Sequence, residues 1–292
     1  MNYLTQVQKG IDYIEANLDY DISLSQVAAE AGLSQWHFQR IFKALSNEPL
    51  KTYIRSRRLS NALNKLINSD QKIITIAIEA GFESQESFSR AFKKAFDITP
   101  NMARKIGTQN NILKKLEFNQ DYLKHINRHV SLTPEIYIQP KMTLVGIKTQ
   151  FYSADSEKNN IAEKLPALWD EFMPRMNEIK ARVLDIAYGV IQQTADNTDL
   201  LEYYAVCEVS EINQLPTGMA SIEIPACRYA KFTHKGHYSG IDNTVNYIYS
   251  SWLLQSKERH SYGPDLEIYG AEYKPESNDS IIYYAIPLNK PT

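Results

Sequence analysis

Apolar side chains near the amino terminus recur at the spacing of a helix. In residues 34–45 they lie at positions i, i+3, i+4 and i+7, namely Phe38, Ile41, Phe42 and Leu45. This spacing predicts one buried helical stripe, and Ser34 stands where its N-cap belongs. The stretch 24–31 has an apolar face of its own and ends at Gly32. The two stretches together predict a helix-turn-helix.

The same pattern occurs a second time about fifty residues later. Residues 76–93 repeat residues 27–43, the letters EAG recur at 30–32 and 79–81, and Ser84 takes the capping place of Ser34. A repeat matched on both helix faces predicts a second helix-turn-helix. The polar faces of the two second helices carry side chains that can pair with base edges. These base-reading candidates are Gln35, Trp36, Gln39 and Arg40 in the first copy and Gln85, Glu86, Ser89 and Arg90 in the second.

A long apolar periodicity from Pro49 to about Asn68 predicts a helix between the two copies. Twenty residues at about 1.5 Å each form a rod of about 30 Å, close to the roughly 34 Å between successive major grooves. One chain could therefore read two grooves of double-stranded DNA as a monomer. Candidate phosphate contacts are Ser34, Lys43, Arg55, Arg57, Arg58, Ser84, Lys93 and Lys94. For the three arginines of the rod, a solvated charged face is the alternative.

The pattern changes beyond residue 106. Residues 107–133 are polar and are predicted to be a linker with one helical segment at 112–125, in which His125 is a surface histidine, as is His129. From Glu135 the apolar period is two, and the order strand–helix–strand–strand occurs twice. The chain is thus expected to have an all-α N-terminal domain, 1–106, with two helix-turn-helix motifs joined by a long helix. An α+β domain with pseudo-twofold symmetry and a cleft follows, 134–292.

Charge is distributed unevenly along the 292 residues, although the net charge is only −2. Residues 1–106 hold 14 Lys and Arg against 11 Asp and Glu, so the basic excess coincides with the predicted DNA-binding motifs. Cys207 and Cys227 show no metal spacing and are predicted to be free thiols, with a disulfide as the alternative. No export signal or membrane-spanning run occurs, so a cytoplasmic protein is expected. No metal and no cofactor are expected either.

Several sequence runs resemble known families. The runs SQWHFQRIFK (34–43), EAGFESQESFSRAFKK (79–94) and DITP (97–100) resemble the DNA-binding domain of the AraC/XylS transcription regulators, in the right-origin-binding type with the DNA-binding part first. The runs LWDEF (168–172), YAKFTHKGHYSGI (229–241), PDLEIYG (264–270) and YYAIPL (283–288) resemble the GyrI-like effector-binding fold.

The resemblance implies a role for particular residues. The base-reading candidates are expected to face two successive grooves, with Glu86 where relatives often carry Gln, and RNA polymerase is an implied partner. The second domain is expected to have an aromatic-lined cleft with a buried glutamate for a cationic or amphipathic small-molecule effector. Glu267 beside Tyr269 is the best match. Candidate walls are Trp169, Phe172, Tyr188, Tyr204, Tyr238, Trp252 and Tyr283.

Three functions follow from these features. The first is a ligand-responsive transcription regulator, expected to be an activator and not an enzyme. The second is a small hydrolase of reactive compounds, in which Glu267 and a neighbouring tyrosine do chemistry. The third is a protein-interaction module in place of the effector domain.

Overall fold

A computed structural model describes residues 3–107, 113–118, 133–195, 198–275 and 277–290. Within them the chain divides into two compact units, with the division along the chain near residue 119. None of the described helices is long and apolar enough to cross a membrane.

The first unit is helical. Its helices are α1 (Tyr3–Ala16), α2 (Leu24–Ala31), α3 (Gln35–Ser46), α4 (Leu50–Asn68), α5 (Ile73–Glu79), α6 (Gln85–Phe96) and α7 (Pro100–Ile106). These bounds confirm the two helix-turn-helix motifs and the long helix between them, α4. At about 1.5 Å per residue, its 19 residues span about 28 Å.

The first motif is built as its sequence predicts. Ser23 caps α2 by accepting a hydrogen bond from the Gln26 amide at 3.1 Å. Gly32 closes the helix with φ of 66°, a left-handed conformation that glycine adopts without steric cost. Ser34 accepts from the His37 amide at 3.4 Å to start α3. The predicted stripe is buried, with Phe38 fully inaccessible to solvent.

The second motif has a core of its own. Ser84 accepts from the Ser87 amide at 3.1 Å and starts α6. Phe88 and Phe92 then pack into a cluster with side chains of α4 and α5, among them Leu63 and Ile76. Because α4 contributes to this cluster and is itself buried at Leu50 and Tyr53, it is a structural element of the unit over its whole length.

Residues 113–118 are not helical, so the predicted helix at 112–125 is wrong over that part. They run across α1 and α4 without helical hydrogen bonds of their own. Instead, Tyr53 and Gln8 accept from the amides of Leu116 at 3.3 Å and Phe118 at 2.9 Å. The rest of that prediction, including His125, lies outside the described residues, as does His129.

The second unit is an eight-stranded antiparallel sheet with helices. Its strands are β1 (Glu135–Gln139), β2 (Met142–Tyr152), β3 (Arg182–Gln193), β4 (Leu200–Val209), β5 (Ala220–Ile224), β6 (Cys227–Lys235), β7 (Asp265–Tyr269) and β8 (Ile281–Leu288). Helix α8 (Ile161–Arg175) follows β2, and α9 (Ile241–Tyr247) follows β6 and continues through a π-helical turn, Ile248–Trp252. Strand β5 is an addition to the predicted set.

The strand order confirms the predicted duplication. The order is β1-β6-β8-β7-β3-β4-β2-β5, so the first round contributes β3-β4-β2 and the second β7-β8-β6. The two rounds meet where β7 pairs with β3. This central pair brings residues of both rounds together.

Strand register assigns each side chain to one face of the sheet. Glu267 pairs with Gly189 and with Tyr284, so these three residues share a face. Gly189 also pairs with Ala205 on β4, and Tyr203, two positions before Ala205, lies on the same face. We call this the helix face, because α8 contacts it. The opposite face holds a separate apolar cluster that includes Leu144, Val190, Val206 and Leu266.

Candidate functional site

A buried carboxylate with two tyrosine partners lies at the centre of the helix face. Glu267 is 7% exposed. Its Oε2 accepts hydrogen bonds from the Tyr203 hydroxyl at 2.5 Å and the Tyr269 hydroxyl at 2.8 Å. Trp169 of α8 donates from Nε1 to the Tyr203 oxygen at 3.0 Å. We call Glu267, Tyr203, Tyr269 and Trp169 the glutamate site.

The glutamate site depends on a glycine on the neighbouring strand. Gly189 stands opposite Glu267 in the β3–β7 pair. A Cβ atom on Gly189 would lie 2.1 Å from the Tyr203 hydroxyl oxygen and 2.7 Å from Glu267 Oε2. Both distances are shorter than non-bonded atoms tolerate, so only glycine leaves room for Tyr203 to reach the carboxylate across β3.

Aromatic rings surround the carboxylate. The Trp169 ring lies edge-on to Tyr269 with centroids 4.9 Å apart, and Tyr269 makes the same kind of contact with Tyr273 at 4.9 Å. Burial, followed by the negative charge of Glu267, raises the pKa of Tyr203 and of Tyr269 well above the ordinary value. Both hydroxyls therefore keep their protons at neutral pH and act as donors.

A second buried carboxylate, Asp265, fixes the start of β7. It accepts from the hydroxyls of Tyr249 at 2.8 Å and Tyr284 at 2.7 Å, and its other oxygen lies 3.0 Å from His260 Nε2. Tyr249 belongs to the π-helical turn after α9. Because Asp265 is two residues before Glu267, this closed polar cluster positions the strand that carries the glutamate site.

The predicted wall residues divide between the two faces. Trp169, Phe172 and Tyr269 lie together on the helix face, where the Trp169 and Phe172 rings are 5.9 Å apart. Tyr238 is 38% exposed, and its ring contacts the tilted ring of His237 with centroids 4.2 Å apart. Trp252 packs edge-on against Phe232 of β6 at 5.1 Å, two strands from β7.

Three predicted wall residues are wrong for the glutamate site. Tyr188, Tyr204 and Tyr283 point to the opposite face, since each is adjacent in sequence to a residue of the helix face, namely Gly189, Tyr203 and Tyr284. The Tyr204 hydroxyl donates to Glu202 at 2.9 Å and that of Tyr283 to Glu272 at 2.8 Å. Successive side chains of a strand alternate between faces, so a neighbour of the right residue lies on the wrong side.

Tyr203 is the functional residue that the sequence interpretation missed. It precedes Tyr204, and the chain offers both tyrosines in the middle of a predicted strand. Because successive side chains alternate between the faces of the sheet, choosing Tyr204 in place of Tyr203 assigns the tyrosine to the opposite face. The alternation Leu201, Tyr203, Ala205, together with a glycine at position 189, is the only sequence signal that favours Tyr203.

The Cys207 and Cys227 thiols are free, as predicted. His234 Nδ1 lies 2.9 Å from the Thr244 hydroxyl oxygen, and its Nε2 lies 3.1 Å from the His237 carbonyl oxygen. These contacts hold the turn into α9.

In the first unit, α6 presents its polar face to solvent. Gln85, Glu86 and Arg90 are exposed and Ser89 is half-buried. The Arg90 and Glu86 side chains are 4.0 Å apart and both largely exposed, so this pair contributes little to stability. Glu86 lies in the first turn of α6, where a negative charge is favoured by the helix dipole. Beyond this face, Lys93 and Lys94 are exposed.

Helix α3 differs, because its predicted base-reading side chains are not open to solvent. Gln35, Trp36 and Gln39 are 4–6% exposed and Arg40 is 9% exposed. The Arg40 guanidinium carbon lies 5.3 Å from the Trp36 ring centroid, within cation–π range. These four side chains of α3 are therefore buried, whereas the corresponding face of α6 is open to solvent.

Two of the arginines proposed for phosphate hold the helices together. Arg57 makes a two-point ion pair with Glu15 of α1, with Nε–Oε1 at 2.8 Å and Nη2–Oε2 at 2.7 Å. Arg58 donates to the Leu18 carbonyl at 3.1 Å and to that of Tyr20. In these contacts, Arg57 and Arg58 bind groups of the protein itself. They form neither the predicted phosphate contacts nor the alternative, a charged face in solvent.

The other phosphate candidates are placed as follows. Ser34 and Ser84 cap α3 and α6, so each lies at the N-terminus of its helix. Arg55 is exposed one turn before Arg58, and Lys43 is half-buried at the end of α3.

Comparison with known proteins agrees with this two-part architecture. A family model described as a helix-turn-helix domain matches residues 27–106, and one described as a GyrI-like small molecule binding domain matches residues 132–289. The right origin-binding protein of Escherichia coli K12 is 28% identical over 269 residues, 88% of this chain and 87% of its own length.

Two further relatives extend the comparison. The transcriptional regulator Rob of Salmonella typhimurium is 26% identical over 88% of this chain and 87% of its own length. The multiple antibiotic resistance protein MarA of Escherichia coli K12 is 40% identical over 99 residues, 34% of this chain and 78% of its own length. The chain therefore belongs to the AraC-type DNA-binding transcription regulators of the right-origin-binding kind, with a GyrI-like small molecule binding domain at the C-terminal end.

Proposed function

We propose that this regulator activates transcription in response to a small lipophilic cation bound at the glutamate site. The observation that carries the proposal is the carboxylate of Glu267, 7% exposed and held by two tyrosine hydroxyls beside the Trp169 ring.

The chemistry of the glutamate site suits a cation. A carboxylate withdrawn from water attracts a positive charge more strongly than one at the surface. Trp169 adds the negative face of an indole, which attracts a cation within about 6 Å of its centroid. Because the Tyr203 and Tyr269 hydroxyls donate to Oε2, they fix the position of the carboxylate without neutralising it by proton transfer.

The same features favour binding over hydrolysis. A tyrosine acts as a base or nucleophile only after losing its proton, and the pKa of Tyr203 and of Tyr269 is raised by burial and by Glu267. At neutral pH both hydroxyls are donors, which is the state that a binding site needs.

For the DNA half, we propose that α6, whose polar face is open to solvent, reads base edges in one groove, and that α3 reads the next groove once its buried polar side chains become exposed. In this arrangement the chain binds as a monomer and contacts RNA polymerase. The exposed amide of Gln85 can pair with adenine and the guanidinium of Arg90 with guanine. Helix α4 supplies about 28 Å of the roughly 34 Å between grooves. Bending of the DNA supplies the difference. Arg55, Lys93 and Lys94 are the phosphate contacts that this arrangement retains.

The cation proposal is tested by tryptophan fluorescence of the full chain during titration with a quaternary arylammonium ion. Trp169 lies in the glutamate site, so binding should change its emission. Glu267→Gln is expected to weaken binding by about tenfold or more, equivalent to about 1.4 kcal/mol. Equal affinity of this variant and the wild type would refute the site.

Glu272→Gln is the matched control. Glu272 also accepts a tyrosine hydroxyl, from Tyr283 at 2.8 Å, but it is exposed. This variant removes the same charge from the same unit and is expected to bind the cation as the wild type does.

A further inference from the structure

A cavity in the C-terminal unit has no residue of the glutamate site in its lining. It encloses about 240 Å³ between residues 179–181, before β3, and residues 209–216, which comprise the end of β4 and the loop after it. At about 30 Å³ per molecule in the liquid, this space equals roughly eight waters. Pockets for drug-sized ligands start at about 300 Å³, so the cavity fits a smaller metabolite.

The floor and one wall of this cavity are apolar. Val145, Ile179 and Val209 form the floor and are 2–5% exposed. The wall comes from Ile212 and Leu215, which are 42% and 37% exposed despite lining a concave surface. A small branched apolar group would cover these side chains and remove them from water.

The rim carries one positive and one negative side chain. Lys180 and Glu211 both line the cavity and are exposed. Within the part of the chain that the structure describes, Lys180 makes no ion pair, and Glu211 accepts one hydrogen bond, from Asn213 Nδ2 at 2.9 Å. A ligand with both charges satisfies both groups. A simple carboxylate would be repelled by Glu211, and a simple amine by Lys180.

The backbone holds the rim in place. Ala181 adopts φ of 56°, a left-handed conformation unusual for a residue other than glycine. Its carbonyl oxygen accepts from the Ser210 amide at 2.9 Å and from the Ser210 hydroxyl at 3.3 Å. At the far end of the loop, Arg175 donates to the Thr217 carbonyl at 2.8 Å. The loop is therefore tied at both ends, and a ligand would meet a formed cavity.

We propose that this cavity binds a free apolar α-amino acid, with its carboxylate at Lys180, its ammonium group at Glu211 and its branched side chain on the apolar floor. The proposal is independent of the cation proposed for the glutamate site, since the two sites share no residue.

The test is a titration of the ¹⁵N-labelled full chain with L-leucine, followed by NMR. Leucine is expected to shift the amide signals of residues 179–181 and 209–215. Two analogues separate the charges: 4-methylpentanoate lacks the amino group and 3-methylbutylamine lacks the carboxylate. Each is expected to bind about tenfold more weakly than leucine. Absence of shifts in these two segments, or equal affinity for the three compounds, would overturn the proposal.

Variants test the assignment of the two charges. Lys180→Met and Glu211→Gln each are expected to weaken leucine binding by about tenfold. Both residues are exposed, so the fold is retained, which the unfolding temperature checks. Lys257→Met is the matched control, because Lys257 is another exposed lysine but does not line the cavity. Leucine affinity that is unchanged in Lys180→Met, or lowered equally in Lys257→Met, would refute the site.

Discussion

Substitution of Arg57, which forms an ion pair with Glu15, is expected to lower the stability of the first unit. It is not expected to remove a contact with DNA phosphate. Glu15 accepts both Arg57 nitrogens, at 2.7 and 2.8 Å, and the Tyr53 hydroxyl at 2.9 Å. The side chains of the pair are 13% and 14% exposed, so solvent screens them little. Hydrogen bonding to Glu15 raises the pKa of Arg57, so the guanidinium stays charged at every accessible pH.

The magnitude follows from this burial. Removing one member of a buried ion pair costs about 3–5 kcal/mol, and the residual exposure places Arg57→Met near the lower end, about 3 kcal/mol. A domain of this size loses about 4–8 °C of melting temperature per kcal/mol. We expect the melting temperature of the first unit to fall by about 12 °C or more in scanning calorimetry of the full chain.

Arg55→Met is the matched control for Arg57→Met. Arg55 is exposed on the same helix, so its substitution is expected to cost no more than an exposed ion pair contributes, about 0–1 kcal/mol. If it contacts a phosphate, the salt dependence of DNA binding falls by about 0.9 in log–log slope. Measured on a DNA site selected in vitro, Arg57→Met should keep the wild-type slope. A reduced slope with unchanged melting temperature for Arg57→Met would refute the structural role.

Three further predictions concern other parts of the chain. Gly189→Ala is expected to lower the free energy of unfolding by about 1–3 kcal/mol through overpacking and to weaken cation binding. Denaturant unfolding and fluorescence titration measure the two effects, and wild-type values in both would contradict the role of this glycine. Burial raises the pKa of Tyr137 and of Tyr188 to about 12. Their contribution to stability is complete below about pH 10 and is lost between about pH 10 and 12, because only the unfolded state ionises there. The phenolate absorbance that is lost in Tyr137→Phe or Tyr188→Phe relative to the wild type should therefore appear together with unfolding and not before it. Ser84→Ala removes the cap of α6 and is expected to cost about 1 kcal/mol and to weaken DNA binding without changing cation affinity, which calorimetry and anisotropy check.

The helical half could be predicted from the sequence because its signals are local. Caps, a left-handed glycine and apolar stripes lie within a few residues of one another, and the repeat doubles them. What the sequence could not show is which polar side chains another helix uses. The sequence around Arg57 and Arg58 indicates a charged surface. Their partners Glu15 and Leu18 lie about forty positions earlier in the chain, so the local pattern does not reveal these contacts.

The glutamate site shows the same limit for strands. Glu267 and Tyr269 could be identified because both lie on β7, as could the nearby aromatic side chains of α8. The third partner, Tyr203, comes from β4 and crosses β3 above a glycine. That geometry depends on strand order and register, which alternation alone does not determine, and this is why Tyr188, Tyr204 and Tyr283 were assigned to the wrong face.

The most direct test of the central claim is transcription in vitro by bacterial RNA polymerase from a template that carries the selected DNA site. With the full wild-type chain, adding the arylammonium ion is expected to increase the transcript. Glu267→Gln should need at least about tenfold more cation for the same increase, whereas Glu272→Gln should respond as the wild type does. A Glu267→Gln chain that responds at the wild-type cation concentration would contradict the account.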